Sequence, residues 1–168
     1  MTKAKPKARS TLKNKEKLHT RDQCLKLVQK ICKLLFLKTY GRLWCISCGK
    51  PLFMGDSTCQ GGHLISRQDR ATETELDNIW PQCSTCNVLM HGNVIAYRYN
   101  LVHLIGEERV RRIENMSMAR KGNEEALQAL SPADRTKAMM KKSARYYDAL
   151  WYELRELEKE LENERSKD

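Results

Sequence analysis

The sequence has no long hydrophobic run and few aromatic residues. No apolar stretch reaches the roughly 20 residues needed to cross a bilayer, and the first residues contain no apolar core of a secretion signal. We therefore expect a protein of the reducing cytoplasm, whose seven cysteines are thiols or metal ligands and not disulfides. Aromatic residues make up only 7% of the 168 residues, but a hydrophobic content of 40% is enough for one small core.

Acidic residues are outnumbered by basic ones. The chain has 31 Lys and Arg against 21 Asp and Glu, a formal charge of +10, which predicts a polyanionic partner such as nucleic acid or an acidic membrane surface. Residues 1–17 hold seven of the bases and one acid, Glu16, with no apolar repeat. We expect residues 1–19 to form a flexible basic tail, which either keeps the protein soluble or binds DNA phosphates.

Four of the cysteines form two Cys-x-x-Cys pairs, Cys45 with Cys48 and Cys83 with Cys86. Each pair can offer two thiolates to one metal ion, and two pairs complete a tetrahedron. Zinc suits four soft thiolates in a closed site, and such a site leaves no position open for a substrate. The sequence therefore predicts a structural zinc. Cys59 could be a fifth thiol near the metal, although the two pairs already fill a zinc site.

Polar residues with possible chemistry lie between and after the two pairs. His63 follows Gly61-Gly62 within the 34 residues that separate the pairs, and it is either a catalytic group or an ordinary packed or surface histidine. Asn87 and His91 lie four residues apart on a helix predicted over residues 84–91. The two side chains could face one metal ion. Alternatively, both could be solvated polar side chains, with Asn87 serving only as a helix cap.

These motifs occur in an order that resembles the HNH, or ββα-metal, nucleases, and more closely the NinG/Rap recombination proteins of lambdoid phages. The similarity runs from about residue 24 to about residue 115. It is carried by Cys45-Ile46-Ser47-Cys48-Gly49, Gly62-His63, Asn78-Ile79, Gln82-Cys83, Cys86-Asn87, Gly92-Asn93, Tyr97-Arg98 and Leu104-Ile105-Gly106 followed by Val110.

The resemblance implies an α+β protein with a small zinc-stabilised ββα-metal core, flanking helices and a long C-terminal helix. It also implies a metal-dependent, structure-selective DNA endonuclease that acts on branched recombination intermediates, such as Holliday junctions and D-loops, in the cytoplasm of the phage-infected bacterial host. Other recombination proteins are possible partners. Two alternatives remain: a non-catalytic zinc-containing DNA-binding accessory module, and a sequence-preferring HNH nicking endonuclease.

The resemblance also gives roles to single residues. His63 would be the general base, and Asn78 would support the active site by pinning its loop through hydrogen bonds. Asn87 and His91 would hold a catalytic Mg²⁺ or Mn²⁺ ion. Many HNH enzymes carry an Asp or His ligand directly before the base, where this chain has Gly62, so the metal would have few protein ligands.

Three arginines are candidate DNA contacts. Arg67 and Arg70 follow the predicted base on a polar loop, from which they could reach a scissile phosphate, or the loop could simply be solvated. Arg98 lies in the apolar segment over residues 94–105 and could contact backbone phosphate.

The remaining pattern divides the chain into a core over residues 20–115 and a helical extension over residues 116–168. Apolar spacing predicts a helix over residues 20–38, and residues 63–66 are the expected second strand of the core. Ser131-Pro132 is a helix start. Leu150, Leu154, Leu157 and Leu161 form a narrow stripe, either the coiled-coil seam of a homodimer or a face that packs on the protein's own core.

Overall fold

A computed structural model describes residues 18–166, and residues 1–17 of the predicted basic tail lie outside this range. The first helix, α1 (Arg21–Tyr40), begins with a capping box in which Thr20 accepts a hydrogen bond from the Gln23 backbone and the Gln23 side chain accepts one from the Thr20 backbone. It ends at Gly41, whose φ of 70° is the left-handed conformation that glycine adopts freely. The predicted helix is confirmed and extends two residues further.

Two small antiparallel sheets follow α1. Strands β1 (Leu43–Trp44) and β2 (Pro51–Leu52) form a hairpin around the first cysteine pair, and β3 (Cys59–His63) pairs with β4 (Ile79–Cys83). The predicted second strand over residues 63–66 is wrong, because β3 ends at His63. The reason is that the backbone N–H and carbonyl of Ile65 bond to the side chain of Asn78 in place of a neighbouring strand.

The helix predicted over residues 84–91 is present only in part, because it is shorter than expected and is not an α-helix. The chain forms one π-helical turn, Thr85–Leu89, in which the backbone N–H of Met90 donates to the carbonyl of Thr85. His91, Gly92 and Asn93 then have positive φ angles of 48°, 91° and 42°. Asn87 and His91 are therefore not neighbours on one face of a regular helix, although Gly92 does end the turn in the left-handed conformation expected of it.

Five helices complete the described part of the chain. They are α2 (Val94–Ile105), α3 (Glu107–Arg120), α4 (Glu124–Gln128), α5 (Pro132–Met139) and α6 (Ala144–Arg165). Side chains of Asn123, Ser131 and Ser143 cap α4, α5 and α6 by accepting backbone hydrogen bonds, so the predicted helix start at Ser131 is confirmed. Helix α3 crosses the boundary predicted after residue 115. Within residues 18–166, no helix has the length and hydrophobicity needed to span a bilayer.

Helix α6 packs on α1 and closes the largest part of the core. The buried residues of this interface are Cys24, Leu27, Val28, Ile31, Cys32, Leu34, Ile79, Tyr147, Leu154 and Leu161, with Leu150 and Leu157 partly buried against them. The stripe predicted as a dimer seam is thus used within the chain, as the alternative interpretation had it. At the start of the described chain, the His19 ring stacks on Trp151 with 3.7 Å between ring centroids.

Candidate functional site

The two cysteine pairs meet in one cluster. Cys45 and Cys48 come from the β1–β2 hairpin, Cys83 ends β4, and Cys86 lies in the π-helical turn. Their four sulfur atoms lie within 4.8 Å of one another, and the Cys48 and Cys83 sulfurs are 3.9 Å apart. Four thiolates bound tetrahedrally to zinc at about 2.3 Å would have sulfurs separated by about 3.8 Å. The cluster could therefore hold a metal ion such as zinc, and Cys59 is not part of it.

Nearby hydrogen bonds support the cluster. The Cys86 backbone N–H donates to the Cys83 sulfur at 3.4 Å, and the Asn93 side chain donates to the Cys86 sulfur at 3.7 Å. Burial raises the pKa of Cys45, and it raises the pKa of Cys86 to about 12. At Cys83 burial acts in the same direction, but hydrogen bonds led by those from Cys86 outweigh it and lower the pKa. The positive charge of a bound cation is what would hold all four groups as thiolates.

His63 ends β3 as a half-buried side chain with a defined orientation. Its Nε2 lies 3.2 Å from the backbone carbonyl oxygen of Glu73. Because a carbonyl can only accept, the neutral ring carries its proton on Nε2 and keeps the lone pair of Nδ1 free. Burial is the largest cause that lowers the pKa of His63, and the charges of Arg67 and Arg21 lower it further against the opposing effect of the Glu73 carbonyl. The ring is thus neutral at pH 7.

His63 opens on a cleft of about 680 Å³ that brings several predicted residues together. Asn87, His91 and Arg67 also line it, as does Lys33 from α1. The Asn87 amide nitrogen donates to Gln60 Oε1 at 2.7 Å, which leaves the amide oxygen of Asn87 for a cation. Within the described part of the chain, no Asp or Glu lines this cleft. A metal ion there would have only neutral protein ligands and would keep most of its waters.

Asn78 has the hydrogen bonds that the resemblance implies. It is fully buried, and its side chain accepts from the backbone N–H of Ile65 at 2.8 Å. Its amide nitrogen donates to the carbonyls of Ile65 and Thr72, each at 3.0 Å. The residue therefore ties two points of the loop after His63, at Ile65 and Thr72, to the start of β4.

Gly62 has no room for a larger side chain. A Cβ atom at this position would lie 2.1 Å from Oε1 of Gln82, a buried residue of the paired strand β4. The Gln82 amide nitrogen is itself held by the Ser47 hydroxyl at 2.7 Å and the Gly92 carbonyl at 2.6 Å. An Asp or His directly before His63 would therefore require Gln82 to move. The absence of such a ligand is visible in the sequence, but this steric cause is visible only in the structure.

The three predicted DNA-binding arginines lie in different surroundings. Arg67 is exposed at the cleft. Arg70 is absent from the cleft lining and donates to the Tyr147 hydroxyl at 2.6 Å. Arg98 forms ion pairs with Glu107 at 2.9 Å and Glu114 at 2.6 Å, which occupy its guanidinium group. Only Arg67 shares a cavity with His63, and DNA binding by all three remains a prediction.

Glu73 is a residue that sequence reasoning missed. Its carboxylate is fully buried and contacts Arg21 at 2.6 Å, the Tyr147 hydroxyl at 2.5 Å and Lys142 at 3.4 Å. These partners belong to α1, α6 and the segment before α6, so one carboxylate joins distant parts of the chain. Its own carbonyl orients His63. Nothing in the surrounding Thr-Glu-Thr-Glu sequence distinguishes this acid from Glu75.

Fold and site together define a class: a small α+β protein in which a four-cysteine metal-binding cluster adjoins a cleft with histidine and basic side chains. The chain belongs to the NinG family of bacteriophage proteins. The family described as Bacteriophage Lambda NinG protein matches residues 1–145.

Two curated relatives are each named Protein ninG, one from Escherichia phage 933W and one from Enterobacteria phage VT2-Sa. Each is 36% identical to this chain over 73 residues, which is 42% of this chain and 34% of the relative. The matched part thus spans about a third of the length of these relatives. No solved structure shows a significant match.

Proposed function

We propose that this protein is a metal-dependent DNA endonuclease with an HNH-type site, acting on branched recombination intermediates in the cytoplasm of the infected host. The observation that carries the proposal is the state of His63. It is a neutral imidazole held through Nε2 by the Glu73 carbonyl, and it opens on a cleft with Lys33 and Arg67. Antiparallel β3 and β4 followed by the π-helical turn and α2 would be the ββα element.

The chemistry follows from what a phosphodiester requires. The bond is inert, and attack by water builds negative charge on the phosphate oxygens and on the leaving oxygen. His63 Nδ1 would accept the proton of the attacking water, and Lys33 and Arg67 would attract the phosphate into the cleft. A divalent cation such as Mg²⁺ or Mn²⁺, held by Asn87 and His91, would supply stabilisation of the developing charge.

The cysteine cluster would be a scaffold in this proposal. Four thiolate ligands close the coordination of zinc, so the ion offers no position to a substrate. Its role would be to fix the β1–β2 hairpin against β4 and the π-helical turn, which carries Asn87.

Replacement of the base tests the proposal. His63→Ala should keep the fold and DNA affinity but lose cleavage by about 10²–10⁴-fold, the usual contribution of a positioned general base. The measurement is cleavage of a four-way junction, a flap and a linear duplex, with and without Mg²⁺. His103→Ala is the matched control, because this exposed histidine lies outside the cleft and should leave cleavage unchanged.

The same assay separates the alternatives. A wild-type protein that binds DNA without cutting it supports the non-catalytic DNA-binding module. A His63→Ala variant that cuts as well as wild type shows that His63 is not the base. Equal cutting of junction and linear duplex at preferred sequences supports the nicking enzyme.

A further inference from the structure

A group of exposed apolar side chains borders the cleft. Val88, Leu89, Met90, Val94 and Ile95, here called the apolar rim, lie within eight residues, and Leu89 and Ile95 are 75% and 89% exposed. Val88 and Val94 line the cleft that contains His63. Single exposed apolar residues are normal on a protein surface, but five in one short segment mark a contact surface.

The backbone beneath the apolar rim is held firmly. The three consecutive positive φ angles at His91, Gly92 and Asn93 turn the chain between the π-helical turn and α2. The Gly92 backbone N–H donates to the Cys86 carbonyl, and the Asn93 side chain donates to the Cys86 sulfur. Non-glycine residues keep such angles only where surrounding contacts fix them. The apolar rim is therefore anchored to the cysteine cluster and is not a loose loop.

The electrostatic surroundings indicate what covers this surface. No acidic residue occurs between Asp77 and Glu107 in the sequence, so the whole segment that carries the rim lacks negative charge. Lys33 and Arg67 lie in the adjoining cleft. A cationic cleft beside a neutral apolar rim suits a partner that combines phosphates with flat apolar faces, which is the chemistry of nucleic acid.

We propose that the apolar rim contacts the unstacked base faces at the branch point of DNA whose phosphates occupy the cleft. This inference rests on the proposed function and deepens it by naming the part of the substrate that is recognised. In continuous duplex the base faces are covered by stacking, whereas a branch point interrupts the stack and exposes them. Leu, Ile and Met side chains are known to insert between base steps in this way. The rim would thereby favour branched over linear DNA.

The test measures binding without added divalent cation, so that cleavage does not interfere and zinc stays in place. The probes are a four-way junction with 2-aminopurine at the branch point and a linear duplex of the same sequence. Full-length protein should bind the junction more tightly and change the 2-aminopurine fluorescence. The double variant Leu89→Ser/Ile95→Ser should bind the junction about tenfold more weakly, lose the fluorescence change and keep its duplex affinity.

The control is Phe53→Ser, since Phe53 is 71% exposed but lies outside the rim and the cleft. Both variants remove only exposed side chains, and their melting curves should match wild type. A double variant that keeps wild-type junction affinity overturns the inference and leaves the rim as a surface for another protein. Equal wild-type affinity for junction and duplex also overturns it, while His63-dependent cutting would still support the nuclease. A preference for the junction that depends on the rim, in a protein that cuts no DNA, would support the inference about the rim and contradict the proposed nuclease activity.

Discussion

His63 owes its chemical state to its neighbours and not to its place in the sequence. A main-chain carbonyl fixes its tautomer, and burial lowers its pKa from the ordinary 6.5. The residue could be predicted from its position between the cysteine pairs. The Glu73 carbonyl could not, because a backbone acceptor does not depend on the type of its side chain. The same holds for Gln82, whose contact with Gly62 arises only when β3 pairs with β4.

The pKa of His63 predicts the pH dependence of cleavage. A base must be neutral to accept a proton, and a lowered pKa keeps the ring neutral at more acidic pH. Activity should therefore be complete at neutral pH and fall only as the pH drops through a value below 6.5. The measurement is kcat/KM against pH at saturating Mg²⁺. An acidic limb centred above 6.5 would show that the ring is not in this buried, neutral state.

Among the elements, those with local signals were predicted well and those shaped by long-range contacts were not. The apolar spacing over residues 20–38 and the Ser131-Pro132 pair predicted two helices that the structure confirms. The end of β3 and the π-helical turn escaped prediction. Asn78 bonds to a residue thirteen positions earlier in place of a strand partner, and Cys83 and Cys86 tie the first part of the turn to the cysteine cluster. Neither effect can be predicted from the secondary-structure propensities of the local residues.

The buried carboxylate of Glu73 joins α1, the loop after His63 and α6, and its replacement tests how much these elements depend on it. Glu73→Gln would leave Arg21 and the buried Lys142 without their carboxylate. Loss of one partner in a buried charge cluster costs about 3 kcal/mol or more, so the variant should unfold at markedly lower urea concentration.

Glu156→Gln is the control for this experiment. Glu156 pairs with Lys159 on the exposed side of α6, and loss of a surface pair costs less than about 1 kcal/mol. Similar unfolding midpoints for the two variants would mean that the Glu73 cluster does not hold these elements together.

For the whole molecule, the family and the mixed α+β class were predicted correctly, whereas the predicted dimer seam was misleading. The apolar stripe on α6 packs against α1, so it no longer argues for a homodimer. Dimerisation stays a prediction without an assigned surface. Helical spacing shows that a face is apolar without showing what covers it. The charge of +10 supports a polyanionic partner at this scale too, although residues 1–17 lie outside the described chain.

Metal removal tests the cluster at the level of the whole fold. Small metal domains draw much of their folding free energy from the ion, so Cys83→Ser or chelation should abolish the cooperative melting transition and not merely slow cleavage. Elemental analysis should give about one zinc per chain. Cys59→Ser is the control, since Cys59 lies outside the cluster and its loss should leave the zinc content unchanged. A metal-free protein that melts like wild type would contradict the structural role.

The link from α6 to the loop of His63 has a consequence for synthesis on the ribosome. Tyr147 bonds to Glu73, yet it is translated long after His63 and the cysteine pairs. A nascent chain that has released every cleft residue still lacks the helix that completes the support of His63. Since domains fold as units once their parts have emerged, the cleft should take its final form only when α6 leaves the ribosome. Truncated translation products of the proposed nuclease would then cut little of the DNA around them.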